Sequence, residues 1–127
     1  MKNVTITKDE ICSFNSPSIK VKPNQKYKAS ATFIGKKEQK NSGYFDVFIK
    51  DNNKIEILRL RRWLNDFSGT PKIYTIIFTT PQNSENVYVV YRINKNTPIK
   101  SDFEISLPDD FTLKLEEVTD NLDEQYD

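Results

Sequence analysis

The sequence predicts an all-β domain, a two-sheet antiparallel sandwich of eight to nine strands. Its 127 residues suit one compact domain. Apolar residues recur at every second position, which is the period of a half-buried strand. Short segments rich in Pro, Asn, Asp and Ser separate these runs, at a spacing typical of β-sandwiches.

The alternating runs contain aromatic and β-branched residues, which fit a pleated, half-buried surface. The rows that each occupy one strand face are Tyr27, Ala29, Ala31 and Phe33; Phe45, Val47 and Ile49; Tyr74, Ile76 and Phe78; Val87, Val89, Tyr91 and Ile93; Phe103, Ile105 and Leu107; and Phe111, Leu113 and Leu115. Between the second row and the strand that follows, residues 51–53 (Asp-Asn-Asn) are typical of a tight turn.

The least regular stretch is residues 54–67. Ile55 and Ile57 keep one phase of the alternation, and Leu58 and Leu60 take the opposite one. A strand changes its inward face only through a bulge, a bend or a switch of sheet. We expect a strand with a bulge, and a short helix over residues 58–64 is the competing interpretation.

Composition excludes several function classes. Nineteen basic and eighteen acidic residues leave a net charge of +1, which argues against a nucleic-acid binder that works by general electrostatic attraction. The chain has no histidine, which excludes Ser–His and Cys–His catalysis and histidine-ligated zinc. The single cysteine, Cys12, cannot form an internal disulfide and is expected to be a small buried residue.

The two ends of the chain give expectations about organisation and compartment. Residues 1–10 contain no apolar segment of a signal peptide, and no window approaches the ~20 apolar residues of a membrane span. We therefore expect no membrane span and a cytoplasmic protein, unless the domain comes from a secreted parent chain. The sandwich is expected to cover residues 1–118, and the acidic residues 119–127 a tail or linker.

The densest group of recognition-type side chains surrounds the only tryptophan. Arg59, Arg61 and Arg62, three of the four arginines, directly precede Trp63. If the strand continues through this stretch, Arg59, Arg61 and Trp63 share one face. Aromatic rings can cover the apolar faces of sugars, and arginine or carboxylate groups can bind hydroxyls.

Two other interpretations of this group stay open. Trp63 could plug one end of the sandwich together with Leu60, Leu64 and Phe67, with arginines stacked on the ring. The basic trio could instead meet an anionic polymer or an acidic patch of a partner, because arginine binds carboxylate and phosphate bidentately.

Four segments occur in an order that resembles a known family. Residues 21–31 place a proline turn before an aromatic and small residues, and residues 74–81 end in Phe-Thr-Thr-Pro. Residues 87–93 are strongly apolar, and residues 109–113 place paired aspartates before an apolar-x-Leu run. This order, over residues 4–118, resembles carbohydrate-binding modules with a galactose-binding-like jelly roll. The family's usual tryptophan directly precedes the strand of residues 74–81, so Trp63 departs from that pattern.

The resemblance implies a non-catalytic module that binds an oligo- or polysaccharide and targets or anchors a covalently attached enzyme domain. It implies glycan binding on the concave sheet or at loops on one edge. The candidate ligand-binding residues are Trp63, Arg61, Arg59, Tyr44 and Arg92, with Tyr88 and Asp46 as further candidates. Asp109 and Asp110 are candidates for the family's frequent calcium site, although such pairs are also typical of turns. No other cofactor and no nucleic-acid partner are expected.

Two functions from other classes remain as alternatives. A structural or protein-interaction β-sandwich could share the same fold, because fold alone does not fix function. A small glycoside hydrolase would need two placed carboxylates, and Asp46 and Glu56 are the acids that lie mid-strand near the candidate face. We predict that the protein is not an enzyme.

Overall fold

The computed structural model describes residues 1–6, 11–35, 43–67, 69, 71–95 and 103–119. These residues form two antiparallel five-stranded sheets, which confirms the predicted two-sheet sandwich. No helix in the described part is long and apolar enough to cross a membrane. The strands are β1 (Lys2–Ile6), β2 (Ile11–Asn15), β3 (Ile19–Lys20), β4 (Lys26–Gly35), β5 (Gly43–Asp51), β6 (Glu56–Trp63), β7 (Lys72–Thr79), β8 (Asn86–Lys95), β9 (Phe103–Leu107) and β10 (Lys114–Glu117).

These ten strands exceed the eight to nine expected because the first twenty residues contribute three of them. Sheet I contains β1, β4, β7, β9 and β10, and sheet II contains β2, β3, β5, β6 and β8. In sheet I, β4 pairs with β7, β9 and β10, and β1 pairs with β9. In sheet II, β5 lies between β6 and β8, and β8 also pairs with β2 and β3.

The core lies between the sheets and is built by the predicted alternation. In β5, Phe45, Val47 and Ile49 are buried, and in β8 the same is true of Val87, Val89, Tyr91 and Ile93. Aromatic rings cluster at the centre, where the Phe33 ring lies 5.0 Å from Phe45 and 5.7 Å from Tyr91. The prediction that Cys12 is buried concerns a side chain outside the described residues.

The irregular stretch is a bulged strand, as expected. Ile49 pairs with Leu58, but the next residue, Lys50, pairs with Glu56, so Ile57 is the extra residue of the bulge. Beyond the bulge, Leu58 and Leu60 pack against the core. The competing helix over residues 58–64 is wrong, because β6 stays extended as far as Trp63.

A 3₁₀ turn, Leu64–Phe67, follows β6 and closes one end of the core. Leu64 and Phe67 are fully buried. The Phe67 carbonyl oxygen occupies the place that a Cβ atom on Gly35 would take. The Gly69 N–H donates a hydrogen bond of 3.1 Å to the Gly35 carbonyl oxygen. The end of β4 therefore fixes the turn that follows Trp63.

The last predicted row begins later than expected. Phe111 lies in a second 3₁₀ turn, Asp109–Phe111, and β10 starts at Lys114. Asp110 and Phe111 both have positive φ, 57° and 55°, which interrupts an extended strand. The Phe111 ring instead stacks on Phe14 at a centroid distance of 4.9 Å. In the predicted tail, the structure describes Thr119 but not residues 120–127.

Candidate functional site

The candidate site is the outer face of sheet II, the face that points away from the core. Its position follows from β5, where Phe45, Val47 and Ile49 face the core and the residues between them face outward. Directly paired residues of antiparallel strands lie on the same face. The pairs that this rule places on the outer face are Tyr44 with Trp63, Asp46 with Arg61 and Arg92, Phe48 with Arg59 and Val90, and Lys50 with Tyr88.

All seven ligand-binding residues predicted from the sequence lie on this face. The seven are Tyr44, Asp46, Arg59, Arg61, Trp63, Tyr88 and Arg92. They come from three neighbouring strands, β6, β5 and β8, which span two strand spacings or about 10 Å.

Trp63 and Tyr44 form an aromatic pair at the end of this face. Their ring centroids are 4.8 Å apart and the rings are inclined by 36°. Trp63 is 55% exposed, so the interpretation of this residue as a core plug is wrong. Leu64 and Phe67 close the core at this end instead, because β6 ends and the chain turns inward directly after Trp63.

Arg61 and Asp46 form a two-point ion pair beside the aromatic pair. Arg61 Nε and Nη2 donate to the two carboxylate oxygens of Asp46 over 2.7 and 3.0 Å. The Asp46 residue is only 2% exposed, so Arg61 covers it. The hydrogen bond to Asp46 raises the pKa of the Arg61 guanidinium above its ordinary value, so this group stays charged. The same guanidinium carbon lies 4.2 Å from the Tyr44 ring centroid.

Phe48 and Val90 form an apolar floor that the sequence analysis did not single out. They are only 4% and 8% exposed although they lie on the outer face. The Arg59 guanidinium carbon lies 4.7 Å, and the Lys50 ammonium 5.7 Å, from the Phe48 ring centroid. The sequence indicates that Phe48 faces outward, since it follows Tyr44 and Asp46 in the same phase of β5, but not that it is buried there.

The remaining arginines lie in different surroundings. Arg92 is exposed and forms no ion pair with any residue that the structure describes. Arg62 lies on the other side of β6 from Arg61, with its guanidinium carbon 4.9 Å from the Tyr74 ring centroid. The basic trio is therefore divided, with Arg59 and Arg61 on the outer face and Arg62 off it.

The two calcium candidates lie away from this face. Asp109 and Asp110 are exposed in the turn between β9 and β10, and Asp109 Oδ1 is 3.1 Å from the N-terminal amine. Within the described ranges, no group of three or more Cys, Asp or Glu side chains is placed to hold a metal ion.

Sheet I carries a second surface feature. An open groove of about 600 Å³ is lined by residues that include Met1, Thr32, Ile73 and Leu113. Ile73 is 71% exposed and Ile77, in the same strand, is 45% exposed. None of the seven candidate ligand-binding residues lines this groove.

No protein-family model and no curated protein sequence matches this chain. Among solved structures, one described as "CBM4 structure and function" superposes over 84% of this chain with a TM-score of 0.58 and 13% identity. This chain spans 61% of that chain's length. A second, "Family 16 Carbohydrate Binding Module-2", superposes over 89% of this chain and 74% of its own length, with a TM-score of 0.54 and 18% identity. The chain therefore has the β-sandwich fold of these carbohydrate-binding modules.

Proposed function

We propose that this protein is a non-catalytic carbohydrate-binding module that holds a glycan on the outer face of sheet II. The observation that carries the proposal is the exposed Trp63 ring, which packs on the half-buried Tyr44 beside the Arg61–Asp46 ion pair. An aromatic surface next to fixed hydrogen-bond donors is the combination that sugar recognition requires. The fold shared with carbohydrate-binding modules supports the same role.

The shape of the face favours a chain of sugars over a single one. The candidate residues extend over about 10 Å across β6, β5 and β8, which is wider than one pyranose ring. The face is an extended sheet surface, so a polysaccharide can lie across it. Such binding, by one aromatic pair and a few hydrogen bonds, typically gives dissociation constants of roughly micromolar to millimolar.

The hydrolase alternative does not fit the geometry of Asp46. Both of its carboxylate oxygens accept hydrogen bonds from Arg61, and the residue is almost fully buried. Glycoside hydrolysis needs two carboxyl groups presented to the substrate. Glu56 lies on the same face, 3.6 Å from Arg59, and could supply only one of them.

In this proposal the module anchors an attached enzyme domain to its polysaccharide, and residues 119–127 serve as the linker. The acidic composition of that segment, which contains Asp120, Asp123, Glu124 and Asp127, suits a solvated connection.

The test uses Trp63, because it is the only tryptophan and its emission reports on this face alone. Neutral oligomers of β-1,4-linked glucose and acidic oligomers of galacturonic acid are titrated to millimolar concentration, with calcium and with a chelator. We expect a saturable change of emission with at least one sugar, and by calorimetry a loss of that binding in Trp63→Ala.

Ile73→Ala is the matched control, since it also truncates an exposed apolar side chain but on sheet I. It is expected to bind as the unmodified protein does. No saturable signal with any sugar would contradict the proposal, and so would equal loss of binding in both variants.

A protein-interaction role is the second candidate, and the exposed Ile73, which lines the sheet I groove, and the exposed Ile77 of the same strand favour it. Exposed apolar groups next to a groove are typical of interfaces. If a second copy of the chain covers this surface, sedimentation shows a mass that rises with concentration and returns to the monomer in Ile73→Lys. A constant monomer mass would exclude self-association through this surface.

A further inference from the structure

We infer that the glycan held by the outer face of sheet II is anionic, and that Arg92, Arg59 and Lys50 bind its carboxylate or sulfate groups. The inference rests on the proposed function and names the class of ligand. Three observations on this face carry it: an excess of cations, the lack of carboxylate partners for several of them among the residues that the structure describes, and the position of guanidinium groups over the aromatic rings.

The outer face of sheet II carries more cations than carboxylates. Its register positions carry five cations, and the whole chain has a net charge of only +1. Two carboxylates, Asp46 and Glu56, share the face. The five cations are Lys20, Lys50, Arg59, Arg61 and Arg92.

The two carboxylates leave several of these cations available to a ligand. Both carboxylate oxygens of Asp46 already accept hydrogen bonds from Arg61. Glu56 lies 3.6 Å from Arg59, in an exposed pair that is weak in water. Arg92 has no ion-pair partner in the described part of the chain. An oxyanion at this point of the face would meet a guanidinium whose donors are not already committed to a carboxylate.

Sheet I shows the contrasting arrangement. There, Lys28 and Lys114 share Glu116, at 3.9 and 3.0 Å, and Glu117 of β10 pairs at 2.9 Å with Lys22 in the loop before β4. These partners lower the pKa of Glu116, through its hydrogen bond to Lys114 and then the charges of Lys114 and Lys28. Lys28 and Lys114 on sheet I thus have a carboxylate partner within the sheet, and Arg92 on sheet II has none among the described residues.

The aromatic rings of the outer face already carry cations. The Arg61 guanidinium covers Tyr44, and Arg59 and Lys50 both approach Phe48. A guanidinium stacked on a ring keeps its N–H groups directed sideways, toward an oxyanion that lies beside it. A neutral sugar would need the ring face itself. The arrangement therefore favours charged over neutral sugars everywhere except at the exposed Trp63.

The test compares polymers that share a backbone and differ in charge. Polygalacturonate is compared with its fully methyl-esterified form, and dextran sulfate with dextran, by calorimetry at 20 and 200 mM salt. We expect at least about tenfold tighter binding of a charged polymer than of its neutral counterpart, and weaker binding at the higher salt. The two charged polymers distinguish carboxylate from sulfate as the recognised group.

Arg92→Gln and Lys28→Gln form the matched pair of variants, since each removes one positive charge, from opposite faces of the sandwich. Arg92→Gln is expected to weaken binding of the charged polymer about five- to tenfold, whereas Lys28→Gln leaves that binding unchanged. Equal weakening by both variants would overturn the inference, because it would indicate general attraction to a polyanion.

The remaining outcomes separate this inference from the function it rests on. Equal or tighter binding of the neutral polymers overturns the anionic preference but keeps glycan binding. Single-stranded DNA bound as tightly as polygalacturonate also overturns the inference. If no polymer binds, both the inference and the proposed function are wrong.

Discussion

Trp63 and Leu64 are neighbours in sequence, yet they are buried to very different extents. Truncation of each to alanine should therefore lower the free energy of unfolding by a different amount. Leu64 is fully buried between the sheets, so Leu64→Ala removes a side chain from the core and leaves a cavity. Such substitutions cost about 2–5 kcal/mol of the free energy of unfolding. Trp63 is 55% exposed, and its ring contact is with Tyr44. Losing one such pair costs about 0.5–1.5 kcal/mol.

The assay is urea unfolding followed by far-ultraviolet circular dichroism, which does not depend on tryptophan emission. With a urea m-value of about 2 kcal/mol/M for a chain of this size, Trp63→Ala lowers the midpoint by roughly 0.5 M and Leu64→Ala by roughly 1–2.5 M. A tryptophan that plugged the core would cost about 3–5 kcal/mol when truncated. If Trp63→Ala destabilises the protein as much as Leu64→Ala does, the placement of Trp63 on the outer face is refuted.

Three further predictions concern groups that hold the sandwich together. Thr80→Val removes a buried hydroxyl that donates to the Lys22 carbonyl oxygen over 2.6 Å. It should lower the free energy of unfolding in urea by about 1–3 kcal/mol. An unchanged midpoint would contradict this hydrogen bond. Gly35→Ala places a methyl group against the Phe67 carbonyl, and should lower the unfolding temperature by at least roughly 6 °C; a neutral result would refute the close approach. Burial raises the pKa of the Tyr91 hydroxyl above its ordinary value of 10.0. Above pH 10 this hydroxyl therefore ionises in the unfolded chain before it does so in the folded one. The free energy of unfolding then falls by up to about 1.4 kcal/mol per pH unit from this group. Tyr91→Phe should remove that part of the alkaline loss, and an identical pH profile in the variant would show that the hydroxyl is not buried.

Alternation along a strand could be predicted from the sequence because it depends on the strand's own period. β5 is the clearest case, since Phe45, Val47 and Ile49 alternate with outward residues without interruption. The change of phase near Ile57 also predicted a bulge, because a continuous strand cannot change its inward face. These features require no knowledge of which strand lies beside which.

The pairing of distant strands could not be predicted in this way. Arg92 lies opposite Asp46 because β8 pairs with β5 across more than forty residues, a register set by the whole topology. The burial of Phe48 could not be predicted for a related reason. Its burial arises from the basic side chains that cover it, Arg59 and Lys50, and not from the sandwich core.

Turn conformation was the other feature that the sequence pattern could not predict. Phe111 continues an apolar alternation in sequence, but positive φ at Asp110 and Phe111 places it in a 3₁₀ turn. Non-glycine residues rarely adopt this conformation, and nothing in a period-two pattern reports it. For a similar reason, the sequence does not decide whether Trp63 faces the core or the outer face of the sheet. The residue precedes a turn, and both environments offer it apolar contacts.

Whether the outer face of sheet II binds a glycan is tested most directly by backbone amide chemical shifts. They are mapped on ¹⁵N-labelled protein during titration with galacturonic acid oligomers and, in parallel, with β-1,4-glucose oligomers. We expect saturable shifts in β5, β6 and β8, centred on Tyr44, Arg61 and Trp63, with the surroundings of Ile73 in sheet I unchanged. Shifts that map to sheet I, or no shifts with either sugar at millimolar concentration, would contradict the claim that the outer face of sheet II is a glycan-binding surface.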